Sequence, residues 1–287
     1  MTIAVVAEGG FCFGVRRAVK MAKEASSSDQ LSATLGPLIH NPQVVEELQE
    51  QGIRVVESIE ELEPGETFMI RAHGSEPDVL TRAESRGLKA LDATCPFVAR
   101  AQEEARRLCD EGWQVLVLGD PGHPEARGIV AHTENRATIV KDADDLNGIE
   151  LQNRVAVVSQ TTQRLDKLQQ LVSDLLGRVR LVTVSNTICD ATTQRQDASV
   201  AVAVDVDVMI VVGGYHSANT VRLAELCSEV NPNTYHIERA CELEPQWIKG
   251  ADSVGITAGA STPDSAIEAT YQRVAELAGG EISDKEL

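Results

Sequence analysis

The 287-residue sequence has six cysteines, yet no two of them are spaced Cys-x-x-Cys. That absence removes the zinc-ribbon and thioredoxin-like readings, and the lack of a Cys-x-x-x-Cys-x-x-Cys run removes a radical-type cluster loop. No apolar stretch approaches the roughly 20 residues that a membrane span requires. The first residues, Met1-Thr2-Ile3-Ala4-Val5-Val6, lack the basic start of a signal peptide and read directly as a strand, so a cytoplasmic setting is expected. In that setting cysteines serve as ligands, catalytic thiols or small core residues more often than as disulfides. Positive charge is scarce: 26 Lys and Arg stand against 44 Asp and Glu, for a net charge of −18. Nucleic acid and anionic membranes, which attract basic faces, are therefore excluded as expected partners. A small anionic substrate is not excluded, because a pocket can be locally positive on an acidic protein. There is no Walker-type glycine loop, no linker and no low-complexity segment. What remains is a globular composition, 43% hydrophobic, long enough for two ordinary domains or three small ones around a real core.

Three of the cysteines, Cys12, Cys95 and Cys189, divide the chain into near-thirds. Each stands between an apolar strand-like run (3–7, 88–91 and 181–184) and a helix-like run. Twenty-eight residues after each comes a polar side chain in a loop: His40, His123 and Ser217. Acidic segments recur at 57–62, 141–146 and 238–243. A second set of polar loops, Ala72-His73-Gly74, Ser159-Gln160-Thr161-Thr162 and Thr257-Ala258-Gly259-Ala260-Ser261, follows a later strand in each third. This ordered recurrence is the mark of a threefold internal repeat. The last repeat lacks a final strand, which the N-terminal strand before Cys12 can supply. The expected units are 13–95, 96–188 and 189–287, the third completed by 1–12. Each is a small α/β domain with mainly parallel, buried strands and covering helices. Only the tail after Gly280 reads as loose. In such sheets functional loops gather beyond the carboxyl ends of the strands. That edge would carry Cys12, His40, His73, Cys95, His123, Thr161, Cys189, Ser217, Asn219 and Ser261.

Cysteine is a small residue common in cores, but a shared strand–Cys–helix context argues for ligands, since a helix N-terminus favours the thiolate. Three thiolates fit a [4Fe–4S] cluster with one open iron, or zinc with three cysteines and water. Cys109, Cys227 and Cys241 lie inside helix or strand patterns and read as core. His40, His73 and His123 at equivalent edges could donate to a phosphate group, helped by charge when protonated. Ser217, Asn219 and Ser261 add neutral donors, although each alone also reads as a helix cap. Glu125, outside any clear helix, is solvated surface on its own terms and a proton donor beside a metallocluster. Thr161 could orient a hydroxyl group or belong to a proton path.

The motifs Gly10-Phe11-Cys12-Phe13-Gly14-Val15, Ala72-His73-Gly74, Asp92-Ala93-Thr94-Cys95-Pro96, Gly122-His123-Pro124-Glu125, Ser159-Gln160-Thr161-Thr162, Ser217-Ala218-Asn219-Thr220 and Thr257-Ala258-Gly259-Ala260-Ser261 occur in this order. In this ordered set the chain resembles the 4-hydroxy-3-methylbut-2-enyl diphosphate reductase family over nearly its whole length. The resemblance implies a trefoil of three α/β domains around a central, oxygen-sensitive [4Fe–4S] cluster with three cysteine ligands and one open iron. By motif, Cys12, Cys95 and Cys189 match the cluster ligands. His40, His73, His123, Ser217, Asn219 and Ser261 match the diphosphate-binding positions, and Glu125 and Thr161 match the residues of proton delivery and hydroxyl positioning. The implied reaction is reductive removal of the substrate hydroxyl to give isopentenyl and dimethylallyl diphosphate, the last step of the non-mevalonate isoprenoid route. Electrons would come from an external donor such as ferredoxin or flavodoxin. Two departures stand in one loop: Ala218 replaces a second serine carried by many members, and His216 stands where asparagine is expected. The rival classes are a [4Fe–4S]-dependent dehydratase, which needs no external electrons, and a non-catalytic iron–sulfur sensor.

Overall fold

Apolar runs of three to six residues alternate with amphipathic stretches, and in the computed structural model they fold as strand–helix pairs. The structure describes residues 1–28, 30–279 and 283–285, the last three by backbone alone. Strand β1 (Thr2–Val5) leads to helix α1 (Phe13–Ser27). Next come β2 (Ala33–Leu35), α2 (Pro42–Glu50), β3 (Arg54–Val56), β4 (Thr67–Ile70), α3 (Val79–Ser85) and β5 (Lys89–Asp92). Then follow α4 (Pro96–Asp110), β6 (Gln114–Leu118), α5 (Pro124–Ala131), β7 (Thr138–Val140), β8 (Arg154–Ser159), α6 (Leu165–Leu176) and β9 (Leu181–Ser185). The last stretch holds α7 (Asp190–Asp205), β10 (Val208–Val212), α8 (Ala218–Val230), β11 (Thr234–Ile237), α9 (Pro245–Ile248), β12 (Ser253–Ala258), α10 (Asp264–Ala278) and β13 (Ser283–Lys285).

The chain forms two compact units. One comprises 14–39 and 45–189 and contains two four-stranded parallel sheets, ordered β3-β2-β4-β5 and β7-β6-β8-β9. The other comprises 1–13, 40–44 and the chain from 190 onward, with one parallel sheet ordered β11-β10-β12-β1-β13. The three orders share one topology. In each, the first strand of the repeat is flanked by the second and third, and a fourth strand lies outside the third. In the last sheet β1 takes that fourth place, paired with β12 through Thr2↔Ser253 to Val5↔Ile256. The tail expected to be loose after Gly280 contributes β13, which pairs with β1 in parallel; the rest of that tail lies outside the described residues.

Parallel strands buried on both faces need apolar side chains, which β10 supplies throughout and β6 from Val115 onward. Val115 and Val117 of β6 pack with Ala101, Ala105 and Leu108 of α4, whereas Leu116 and Leu118 point to the other face and meet Leu168, Leu171 and Leu175 of α6. In the last sheet Met209 and Val211 pack with Leu223 and Cys227 of α8, and Ile210 and Val212 with Ala266 and Val274 of α10. Truncating one such residue, for example Leu116→Ala, should cost about 2–5 kcal/mol.

The repeat extends to single hydrogen bonds. The residue after the first strand of each repeat is glycine, and its N–H donates to the last residue of the second strand: Gly36 to Val56, Gly119 to Val140 and Gly213 to Ile237, at 2.7, 2.9 and 2.8 Å. The acidic segments fold as short 3₁₀ turns, Ile59–Glu61, Ala143–Gly148 and Ala240–Glu242. In each, a carboxylate accepts the N–H of the residue just past the second strand: Glu61 from Glu57, Asp145 from Lys141 and Glu242 from Glu238. A buried leucine closes each turn, at Leu62, Leu146 and Leu243. The acidic recurrence in the sequence is thus a capping device.

Candidate functional site

All three repeat cysteines lie between a fourth strand and the next helix, partly buried, and none is in a disulfide. One bond fixes each of them. The Cys12 N–H donates to the carbonyl of Ala260 (3.1 Å), that of Cys95 to Ala72 (2.9 Å) and that of Cys189 to Thr161 (3.0 Å). Each acceptor stands two residues beyond the end of the third strand of its sheet. Cys95 is the N-cap of α4 in extended conformation, and Pro96 at the first helical position stops the helix from extending backward. Its sulfur lies against α1: a Cβ on Gly14 would sit 2.5 Å from Cys95 Sγ, so only glycine leaves this cradle open. The loop before Cys12 is fixed by buried Arg195, which donates to the Gly10 carbonyl at 2.8 Å, and by Gly10 itself at φ +91°.

In the unit of 14–39 and 45–189, six of the candidate residues form one connected chain. The peptide of Thr161 holds Cys189 through its carbonyl, and its N–H donates to Glu125 Oε1 at 2.5 Å. Glu125 is 1% exposed and lies in the first turn of α5, not outside a helix as the sequence suggests. The helix start was hidden because its N-cap is histidine: His123 Nδ1 accepts the Glu125 N–H at 3.2 Å. With Nδ1 engaged as an acceptor, Nε2 is the ring nitrogen left to donate. The His123 ring meets His73 edge-to-face with centroids 5.3 Å apart. His73 follows Ala72, the residue that holds Cys95.

The unit of 1–13, 40–44 and 190 onward holds Cys12, His40, Ser217, Asn219 and Ser261. Ser217 is the N-cap of α8, accepting from the Thr220 N–H. The Ser261 hydroxyl donates to the His40 carbonyl at 3.1 Å and lies 3.4 Å from the Ser217 hydroxyl. Asn219, in the first turn of α8, is buried, and its Nδ2 has no hydrogen-bond partner among the described residues. A buried amide donor in that state is open to a water or ligand oxygen.

The remaining thiols divide. Cys109 and Cys227 are core residues, and burial raises the pKa of both, that of Cys227 to about 12. Cys241, expected in the core, is exposed on its 3₁₀ turn, because the buried leucine of that segment is Leu243. Aligning the repeats by strand ends also exposes positions that reading for polar loops passed over. Three residues beyond the third strand stand His73, Thr162 and Ser261, so Thr162, and not Thr161, is the counterpart of the other two. Gln160, fully buried, accepts from the Asp120 N–H and donates to Thr162 Oγ1, both at 3.0 Å, and ties the two loops at that sheet end. The available signal was register, since Leu35↔Ile70, Leu118↔Ser159 and Val212↔Ala258 mark equivalent strand ends.

Fold and site together define a class: a parallel α/β protein built on a threefold strand–helix repeat, with one thiol per repeat at a strand-to-helix junction. Within that class the chain belongs to the LytB protein family, whose model matches residues 3–275. It is 44% identical over 277 residues to the 4-hydroxy-3-methylbut-2-enyl diphosphate reductase of Pelobacter propionicus, covering 96% of this chain and 99% of the relative. It is 46% identical to the protein of the same name from Geobacter sulfurreducens, covering 96% and 98%. A solved structure of (E)-4-hydroxy-3-methyl-but-2-enyl diphosphate reductase, the terminal enzyme of the non-mevalonate pathway, superposes with a TM-score of 0.71 at 42% identity, covering 96% of this chain and 99% of that one. The reductase structure from Plasmodium falciparum shares the fold, with a TM-score of 0.91 at 23% identity, covering 100% of this chain and 92% of that one.

Proposed function

We propose that the chain is a 4-hydroxy-3-methylbut-2-enyl diphosphate reductase, which removes the substrate's allylic hydroxyl as the last step of the non-mevalonate isoprenoid pathway. Two electrons and two protons enter. The C–O bond breaks, water leaves, and protonation of the allyl fragment at either end gives isopentenyl or dimethylallyl diphosphate. Cys12, Cys95 and Cys189 are the residues that would hold a [4Fe–4S] cluster. The donor set fits it: the three thiols stand at equivalent junctions, and Gly14 keeps space open at the Cys95 sulfur. When bound, such a cluster with three thiolate ligands supplies electron relay and an open Lewis-acidic iron.

The protein's own residues do the rest. His40, His73, His123, Ser217, Asn219 and Ser261 are the diphosphate ligands in this reading, with His123 donating from Nε2 and Asn219 from its unpartnered amide. Binding the remote diphosphate holds the substrate alike before and during the reaction, so these contacts act through KM. Glu125 holds the proton for the departing hydroxyl, its Oε1 fixed by the Thr161 N–H, and Thr161 positions that hydroxyl. The three units 13–95, 96–188 and 189–287 with 1–12 are the evolutionary repeats of this reading. Electrons arrive from a small carrier such as ferredoxin or flavodoxin in the cytoplasm, where thiols stay reduced.

The observation that carries the proposal is the buried Glu125 carboxylate, bonded to the peptide that also holds Cys189. The test is anaerobic: iron, sulfide and visible absorbance are measured on purified protein, then oxidation of reduced viologen is followed with substrate. Substrate-dependent oxidation yielding both products supports the reading. Loss of water without consumption of reductant would make the chain a dehydratase, and a cluster without turnover would make it a sensor.

A further inference from the structure

We propose that Tyr215 is a positioning residue, latching the 213–217 loop through Glu242 so that Ser217, Asn219 and the His40 backbone keep the geometry of the diphosphate site. The inference rests on the reductase reading above.

The third repeat uses its capping carboxylate differently from the other two. Glu61 and Asp145 accept backbone N–H groups of their own turns. Glu242 does the same for Glu238, and its Oε2 also accepts the Tyr215 hydroxyl at 2.5 Å. Tyr215 stands three residues beyond the first strand, where the other repeats have Leu38 and Pro121, neither with a hydroxyl. The latch therefore belongs to this repeat alone.

The loop is held at two points. At Gly213, the N–H donates to Ile237 and the carbonyl accepts from His236 Nε2 at 2.7 Å. At Tyr215, the N–H donates to Glu238 Oε1 at 2.6 Å, the hydroxyl is held by Glu242, and the ring packs on His236 with centroids 4.8 Å apart. Partial burial and the Glu242 carboxylate push the Tyr215 pKa up to about 12, so the hydroxyl stays a donor at any working pH. Beyond this anchor the loop delivers what the site needs. The Ser217 N–H bonds back to Gly214, and Ser217 then caps the helix that carries Asn219. A Cβ on Gly214 would lie only 2.6 Å from the His40 carbonyl, so the loop is the surface on which His40 rests. A loop that swings at Tyr215 would move the cap, the helix start and that support together.

Tyr215 is 48% exposed, so removing its hydroxyl leaves the core untouched. The experiment compares cluster-loaded wild type, Tyr215→Phe, Glu242→Ala and the double variant in anaerobic steady-state kinetics. Direct binding of inorganic diphosphate by calorimetry is measured alongside. Tyr215→Phe should raise KM and the diphosphate Kd by about 3- to 10-fold, the scale of one partly exposed hydrogen bond to a charged group, with kcat, iron content and Tm unchanged. Glu242→Ala should do at least as much, and adding Tyr215→Phe to it should change nothing further, since both remove one contact. Wild-type KM and Kd in Tyr215→Phe, an equal loss of kcat, or additive effects in the double variant would overturn the latch. A wild type that binds diphosphate without turnover would instead count against the reductase reading, and an equal Kd in Tyr215→Phe would still overturn the latch on its own.

Discussion

Glu125 can be changed to glutamine with almost no change of shape, which makes it the sharpest probe of the proposed chemistry. The amide keeps an oxygen for the Thr161 N–H but carries no acid proton. Glu125→Gln should bind substrate with little change in KM while kcat falls by roughly 10²–10⁴-fold, the scale of general acid catalysis; near-normal kcat would remove Glu125 from the mechanism. The thiols allow an equally clear division. Cys109→Ala and Cys227→Ala should keep full iron content, because burial holds both thiols protonated, whereas Cys95→Ser should lose the stable four-iron form. Iron loss in Cys109→Ala to the extent seen in Cys95→Ser would end the split between ligand and core thiols. At this scale the sequence offers candidates for chemistry and leaves their geometry open. Glu125 stood out through its neighbour His123, but its helix did not, because histidine is an uncommon N-cap and its Nδ1 bond depends on tautomer, which composition does not encode. Cys241 was misjudged for a related reason: in an amphipathic turn of three residues the buried place goes to one side chain, and Leu243 has it.

At the level of elements, α1 carries a glycine whose value is space. Gly14 lies on the buried face of that helix with Ala18, Ala22 and Ala25, and the Cys95 sulfur fills the gap its missing side chain leaves. Gly14→Ala should lower the iron bound per chain, because the new methyl would sit where the thiol must. Iron content that falls while the apo protein still folds, by circular dichroism, is the expected pattern, and full iron content would refute the cradle. On β11, burial depresses the pKa of His236 below its ordinary 6.5. The unfolded chain therefore takes up that proton first, and the stability owed to neutral His236 is full above about pH 6.5 and is lost as pH falls through the lowered folded-state value. His236→Gln keeps a donor toward the Gly213 carbonyl and cannot titrate, so its Tm should fall less steeply below pH 6.5; a parallel decline would clear His236 of that role. The acidic segments show how far sequence reading reaches here. Their recurrence was visible as charge, but their work as carboxylate caps required the backbone.

For the whole molecule, the recurrence of thiols and polar loops was enough to read a parallel α/β repeat, and the borrowed strand β1 followed from counting strands. The tail strand β13 was not legible, since a short polar run beside an already complete four-strand pattern carries no apolar signal. Removing residues 1–6 should uncover the edge of β12 and yield an aggregating protein, checked by solubility and light scattering; a soluble, iron-replete product would show that β1 is dispensable. The same strand has a consequence in time. β1 is made well before the rest of its sheet: its partner β12 and the Ala260 carbonyl that fixes Cys12 follow some 250 residues later. At roughly 5–20 residues per second, the first cysteine waits on the order of ten seconds or more with no fixed backbone, while the Cys95 and Cys189 junctions can already close. In the proposed reading, assembly of the cluster is thereby tied to synthesis of the third repeat, and a chain stalled before Ala260 yields a Cys12 thiol that oxidants and scavenging metals can reach.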